Sequence, residues 1–135
     1  MRRERRRSTR FLVREEAFVS VGVSKPKIGK IGDISRGGLS FEYLVNYIRD
    51  KNNSENLVKD FLRAEIFFIG GGFRLTDVSC RIVYDMMKYV LTYSPIVRKR
   101  CGIKFEELTE DQIGQLGTFL ANYTAGLAPW HGRQK

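Results

Sequence analysis

"GDISRGGLSF", residues 32–41, contains two apolar strand-like ends around a polar, glycine-rich centre. Gly and Ser cluster at Ser35–Gly38, where turns concentrate. Ile34 on one side and Leu39 and Phe41 on the other supply the alternation of half-buried strands. Asp33, Ser35 and Gly38 form the spacing D-x-S-x-x-G. Local chemistry alone accounts for such a triplet: Asp and Ser side chains bond nearby backbone, and Gly37 or Gly38 is expected to supply a positive φ. The stretch therefore predicts two consecutive antiparallel strands with a polar bend between them.

The same strand-and-turn grammar continues outward. "EEAFVSVGV" (15–23) reads as a strand closed by the turn "SKPK", and "KIGKIGDIS" leads into the bend. Further on, "RAEIFFIGGGFRLTDVSCRIVYD" gives two strands around "GGG", and "VRKRCGIKFEEL" gives another. "MMKYVLTYSP" reads as a polar-aromatic connection between them. Residues 44–62, "LVNYIRDKNNSENLVKDFL", differ: Leu44, Val45 and Ile48, then Leu57, Val58, Phe61 and Leu62, follow helical spacing around a polar break. One or two short helices are expected there.

Thr109 opens T-E-D-Q with Gln112 three residues later, a capping box with acidic residues in the first turn. Ile113, Leu116, Leu120 and Tyr123 then share a face, with Phe119 beside them, so a helix over about 109–123 should pack on the sheet. About six strands and one terminal helix predict a mainly β fold, a six-stranded antiparallel barrel. The expected organisation is an arm at 1–10, a barrel over 11–124 with its helical insert, and a loose tail at 125–135.

The arm is the most charged segment. Arg2, Arg3, Arg5, Arg6, Arg7 and Arg10 against Glu4 carry more than half of the formal net charge of +9, so the body is only mildly basic. A guanidinium fork matches phosphate oxygens or a guanine edge, and stacks on rings, so concentrated arginine points to a planar, anionic partner.

Composition restricts the other function classes. A chain of 135 residues with 42% hydrophobic content can bury a real core as one domain. No apolar run reaches membrane-spanning length, and no apolar h-region follows the basic head. Cys80 and Cys101 are expected to be buried free thiols in a reducing, cytoplasmic setting. The single histidine, His131, and two distant cysteines do not match zinc spacing, so no metal is expected. "GGGFR" lacks the Gly-Lys-Ser/Thr ending of a P-loop and reads as a hairpin turn. The acidic pairs Glu15–Glu16, Glu106–Glu107 and Glu110–Asp111 are accounted for by strand ends and the helix dipole. The expectation is a binding protein, not an enzyme.

Taken in order, Arg6-x-x-x-Arg10, an apolar strand, and Asp33-x-Ser35-x-x-Gly38 resemble the PilZ domain, a six-stranded barrel that binds bis-(3′,5′)-cyclic dimeric GMP (cyclic di-GMP). "ERRRSTRF" is similar to that family's opening, and "CGIKFEELTEDQIGQLGTFL" to its last strand and closing helix, so the likeness covers most of residues 4–121. The 44–62 segment is longer than a minimal barrel of this kind requires.

The resemblance implies a ligand set of Arg5, Arg6, Arg10, Asp33, Ser35, Arg36, Gly37 and Gly38. Arg6 and Arg10 would grip a guanine Hoogsteen edge and phosphates, and Asp33 would accept from a guanine Watson–Crick edge. Ser35 would add a hydroxyl contact, Arg36 a phosphate contact, and Gly38 room for close approach. Arg5 is a further cation for a second guanine, which favours an intercalated ligand pair over a single nucleotide. Binding would order the arm and present a new surface to a downstream protein partner. Two rivals remain: a nucleic-acid binder using the arm and Arg98, Lys99 and Arg100, and a PilZ-like adaptor acting through protein contacts alone. "MMKYVLTY" (86–93) and the insert are candidate partner surfaces.

Overall fold

In the computed structural model the described residues are 9–13, 16–22, 25–46, 62–90 and 94–127. Eight strands and one helix follow in the order β1 (Phe11–Val13), β2 (Ala17–Val21), β3 (Lys27–Ile34), β4 (Gly38–Asn46), β5 (Leu62–Phe68), β6 (Arg74–Val90), β7 (Ile96–Phe105), α1 (Glu110–Asn122) and β8 (Thr124–Leu127). All pairings are antiparallel. β2 pairs with β5, then β6, β7, β4 and β3 follow in turn, and β3 pairs back to β2. This closes a six-stranded barrel, as expected. Closure satisfies the ladder groups of both would-be edge strands. β1 lies outside the ring, on the far half of β3, and β8 lies on β1.

Alternation sets the inner face. Ala17, Val19 and Val21 point inward from β2, Leu39, Phe41 and Tyr43 from β4, and Cys101, Ile103 and Phe105 from β7; all nine are buried. Cys80 and Cys101 are both buried free thiols, as expected, and desolvation pushes each up to about 12. α1 packs through Leu116, Phe119 and Leu120. Phe68, Phe73, Phe119 and Tyr123 form a ring cluster there, with the Phe68–Tyr123 centroids 4.7 Å apart and Phe73–Phe119 4.9 Å apart. The capping box is present: the Thr109 hydroxyl accepts from the Gln112 N–H, and the Gln112 side chain accepts from the Thr109 N–H. Gln112 also donates to the carbonyls of Thr76 and Asp77, tying the helix start to β6.

Several expectations need correction. Leu44, Val45 and Asn46 extend β4, and Leu62 begins β5, so the ends of the proposed helical insert are strand; residues 47–61 lie outside the described residues. "MMKYV" is the end of the 17-residue β6, not a connection, because it keeps its ladder to β7 as far as Val90–Val97. The start of the expected tail, through Leu127, is the strand β8. Neither Gly37 nor Gly38 has a positive φ; among the described glycines those values occur at Gly22, Gly71 and Gly72. Gly71 and Gly72 fall in the β5–β6 turn, where the "GGG" hairpin was expected.

Two bulges decide which side chains reach the outer face. Ile31 pairs with Phe41, but Asp33, not Gly32, opposes Ser40. Without the extra residue Asp33 would face Leu39 and the core; with it Ile34 takes that place and Asp33 turns outward. β6 repeats the device: Ile82 pairs with Ile103, and Tyr84, not Val83, opposes Gly102.

Candidate functional site

Asp33, on the last turn of the β3 pleat, is the organising residue. Its Oδ1 accepts from Arg10 Nη1 at 2.7 Å and from Ser40 Oγ at 3.1 Å. Arg100 approaches from the other side, with Nη2 3.8 Å from Asp33 Oδ2 and donating to Ser40 Oγ at 3.3 Å. Asp33 is 6% exposed and Ser40 3%. A carboxylate this enclosed is tolerated because two guanidinium groups and a hydroxyl surround it. Arg10 keeps about a quarter of its side chain exposed, and its Nε is buried with no acceptor among the described residues.

Ser35 and the two glycines build the bend. The Ser35 hydroxyl accepts from the Gly37 N–H at 3.1 Å and lies 3.4 Å from the Gly38 carbonyl, which also accepts from the Ser35 N–H at 2.8 Å. The Gly37 carbonyl accepts from the Phe105 N–H, so the bend is sewn to the end of β7. A Cβ at Gly38 would collide with the Ile103 carbonyl oxygen, so this glycine is required by the β4–β7 approach. Its room is taken up by the fold's own backbone, not left open. Arg36 is exposed, and its guanidinium reaches to 4.0 Å from where a Cβ on Gly117 of α1 would stand.

The structure thus brings Arg10, Asp33, Ser35, Arg36, Gly37 and Gly38 into one neighbourhood. Arg5 and Arg6 lie outside the described residues.

A PilZ domain family model matches residues 4–122. The chain belongs to the PilZ family. No curated protein matches it in sequence. Among solved structures, the PilZ domain of YcgR from Escherichia coli with c-di-GMP superimposes with a TM-score of 0.65 at 14% identity, covering 89% of this chain and 92% of that one. The K. pneumonia MrkH–c-di-GMP complex gives 0.64 at 19% identity over 89% of this chain, which spans 52% of the MrkH chain. The Bacillus subtilis inhibitor of motility MotI/DgrA gives 0.56 at 12% identity, covering 88% of this chain and 50% of that one. At these identities the likeness establishes the fold.

Sequence reasoning missed three residues of this PilZ face. Ser40 and Arg100 complete the shell around Asp33, and the Tyr84 ring crosses Gly102, where any Cβ would strike it. Tyr84 remains 38% exposed. Register places Asp33, Ser40, Gly102 and Tyr84 in one row across β3, β4, β7 and β6. A signal existed: Gly102 and Tyr84 sit in "KRCGIK" and "RIVYD", but only strand pairing shows that the two stretches meet.

A second polar group fills the interior at the other level of these strands. The buried Tyr43 hydroxyl donates to the Asp85 carboxylate, 2.7 and 2.8 Å from its two oxygens, and Lys99 Nζ stands 3.6 Å from Asp85. Burial first, then the Asp85 hydrogen bond and charge, raise the Tyr43 pKa far above its ordinary value. Lys99 therefore points into the barrel mouth. Arg98 lies outside, 3.8 Å from Glu42, and Arg100 faces Asp33. The three consecutive cations do not form one patch. Among the described residues no cluster of metal-ligating side chains occurs, and no helix is long and apolar enough to cross a membrane.

Proposed function

We propose that this PilZ chain is a receptor for cyclic di-GMP that binds on the face built by Arg10, Asp33, Ser40 and Arg100. The observation that carries the reading is the Arg10–Asp33 contact. A nearly buried carboxylate holds the first-motif arginine by one nitrogen against the sheet. That anchoring restricts the arginine side chain in advance, so less rotamer freedom is lost on binding. The remaining donors are then available to phosphate oxygens or to the N7 and O6 acceptors of guanine. The buried Nε, without an acceptor among the described residues, adds a donor whose cost, about 1–3 kcal/mol, an acceptor brought by the ligand would relieve.

In this reading Asp33 is chiefly a positioner. Its Oδ1 already accepts two hydrogen bonds, and Oδ2 is the oxygen left for a guanine N1–H or amine. Ser35, Gly37 and Gly38 hold the bend, Arg36 supplies a phosphate contact, and Arg100 and Tyr84 add a cation and a stacking ring along the same row. Arg6 would join Arg10 on the ligand, and Arg5 is a further cation for a second guanine, which favours an intercalated pair of ligands. The complexes of MrkH and YcgR with c-di-GMP, on the same fold, support the choice of ligand. No catalytic step belongs to this role: signal transfer runs through ordering of the arm at 1–10 and a changed surface for a partner.

Calorimetric titration with cyclic di-GMP, GTP, cyclic GMP and short DNA tests the reading. Selective, saturable binding of the first is expected, with a stoichiometry near two. Stronger binding to DNA, falling steeply with salt, would favour the basic-arm alternative instead. Equal hydrogen exchange of residues 2–10 with and without ligand would end the ordering mechanism.

A further inference from the structure

Leu12 connects the binding face to the C-terminal strand. On one edge it pairs with Asp33 of β3, and on the other with Gly126 of β8. The row that runs Tyr84–Gly102–Ser40–Asp33 therefore continues through Leu12 to Gly126, six strands in all. β1 itself is only three residues long and is exposed or half-buried throughout, with Leu12 at 40%. Phe11 and Val13 pack partly against the core, but a strand this short also depends on its two ladders and on the residue before it. That preceding residue is Arg10, whose side chain is fastened to Asp33, the same residue that Leu12 pairs with. β8 in turn has β1 as its one sheet neighbour among the described residues, and it follows directly on α1.

We propose that the Arg10–Asp33 contact, β1 and β8 form one cooperative unit, so that occupancy of the binding face is transmitted to the C-terminal strand. Anything that tightens Arg10 on Asp33 holds β1 on β3, and β1 held in place is the template on which β8 pairs. Loosening Arg10 frees β1 and with it β8. The coupling is reciprocal: if a ligand on Arg10 favours β8 pairing, then loss of β8 pairing weakens that ligand by the same factor. The identity of the ligand rests on the reading of the preceding section; the coupling between Arg10 and β8 does not. The output surface is then β8, on the outer edge of β1, where a partner would distinguish a paired β8 from a free one.

Amide hydrogen exchange in the full chain tests this without any ligand. In Arg10→Lys, which keeps the charge but loses the fork, and in Asp33→Asn, the amides of Thr124–Leu127 should exchange faster, on the order of fivefold. Those of β7, at Cys101–Ile103, should keep their wild-type rates and so report an intact barrel. Unchanged exchange at 124–127 in both variants, with β7 protected, overturns the proposal. A second arm uses cyclic di-GMP: it should slow exchange at 124–127 in the wild type, and Gly126→Pro, which disrupts the β1–β8 ladder, should weaken its binding by a matching factor. Binding with no change at 124–127 and no loss in Gly126→Pro also overturns the proposal. If the wild type does not bind cyclic di-GMP at all, the ligand assignment fails, while the exchange rates of the unliganded variants still decide the coupling.

Discussion

Among single residues, the proposed binding face divides into side chains placed to meet a ligand and residues that hold the bend. Gly38 belongs to the second group, since the Ile103 carbonyl occupies the space its Cβ would need. Gly38→Ala is expected to lower stability by about 1–3 kcal/mol, the usual range for forced overpacking, as read by urea denaturation. An unchanged midpoint would show that β4 can move away from β7. Tyr84, outside the sequence signature, is proposed to meet the ligand. Its ring lies on Gly102 with a large exposed fraction, so Tyr84→Ala should weaken cyclic di-GMP by roughly tenfold or more, while Tyr84→Phe should bind nearly as wild type. Equal losses in both variants would mean that the hydroxyl, not the ring face, is used. The expected guanine contact of Asp33 shifts in emphasis here: with Arg10 and Ser40 on Oδ1, the carboxylate acts first on its own neighbours.

At the scale of elements, what was legible in the sequence is what depends on one segment alone. The Thr109–Gln112 capping box and the apolar face of α1 are local; the box is present, and the face packs through Leu116, Phe119 and Leu120 while Ile113 stays exposed. The alternation of "AFVSV" and "GLSFEY" likewise marks β2 and β4. The two bulges were not legible, because an extra residue at Gly32 or Val83 is defined only against the partner strand. Arg100 and Tyr84 were missed for the same reason: register, not spacing, brings them beside Asp33. β1 and β8 are too short to show a period. Thr109→Ala should cost about 1 kcal/mol through loss of the cap, measured by denaturant midpoint, with little effect on ligand affinity because the cap lies on the β6 side of the helix.

β6 and β7 also carry the pH dependence. Cys80 and Cys101 are raised to about 12 in the folded chain, against an ordinary value of 9.0. Between those values the unfolded chain releases thiol protons that the folded chain keeps, so stability falls as pH rises from about 9 toward 12. Below about 9 both states hold the protons and the thiols contribute no slope. A thiol reagent at neutral pH should accordingly leave both cysteines unmodified in the native chain and label both after unfolding. Rapid native labelling would contradict their burial.

Taken as a whole, the barrel has an interior that fixes its strands and an outer face on which one polar row crosses four of them. Inside, the Tyr43–Asp85–Lys99 group and the apolar core fix the strands; outside, Arg10, Asp33, Ser40, Gly102 and Tyr84 line up across them. The resemblance read from the sequence pointed to Arg10 and the D-x-S-x-x-G bend, and the family match over residues 4–122 shows the PilZ family. The distribution of "VRKR" among Glu42, Asp85 and Asp33 argues against a continuous nucleic-acid track on β7.

The central claim is that Arg10, fixed by Asp33, presents a prepared guanidinium to cyclic di-GMP. One calorimetric comparison tests it: the wild type and Arg10→Ala, each titrated with cyclic di-GMP under the same salt. Saturable wild-type binding at micromolar concentrations is expected, weakened by about 10–100-fold in the variant through loss of a bidentate arginine contact. A wild type that gives no binding heat at those concentrations, or an Arg10→Ala chain that binds equally well, would contradict it.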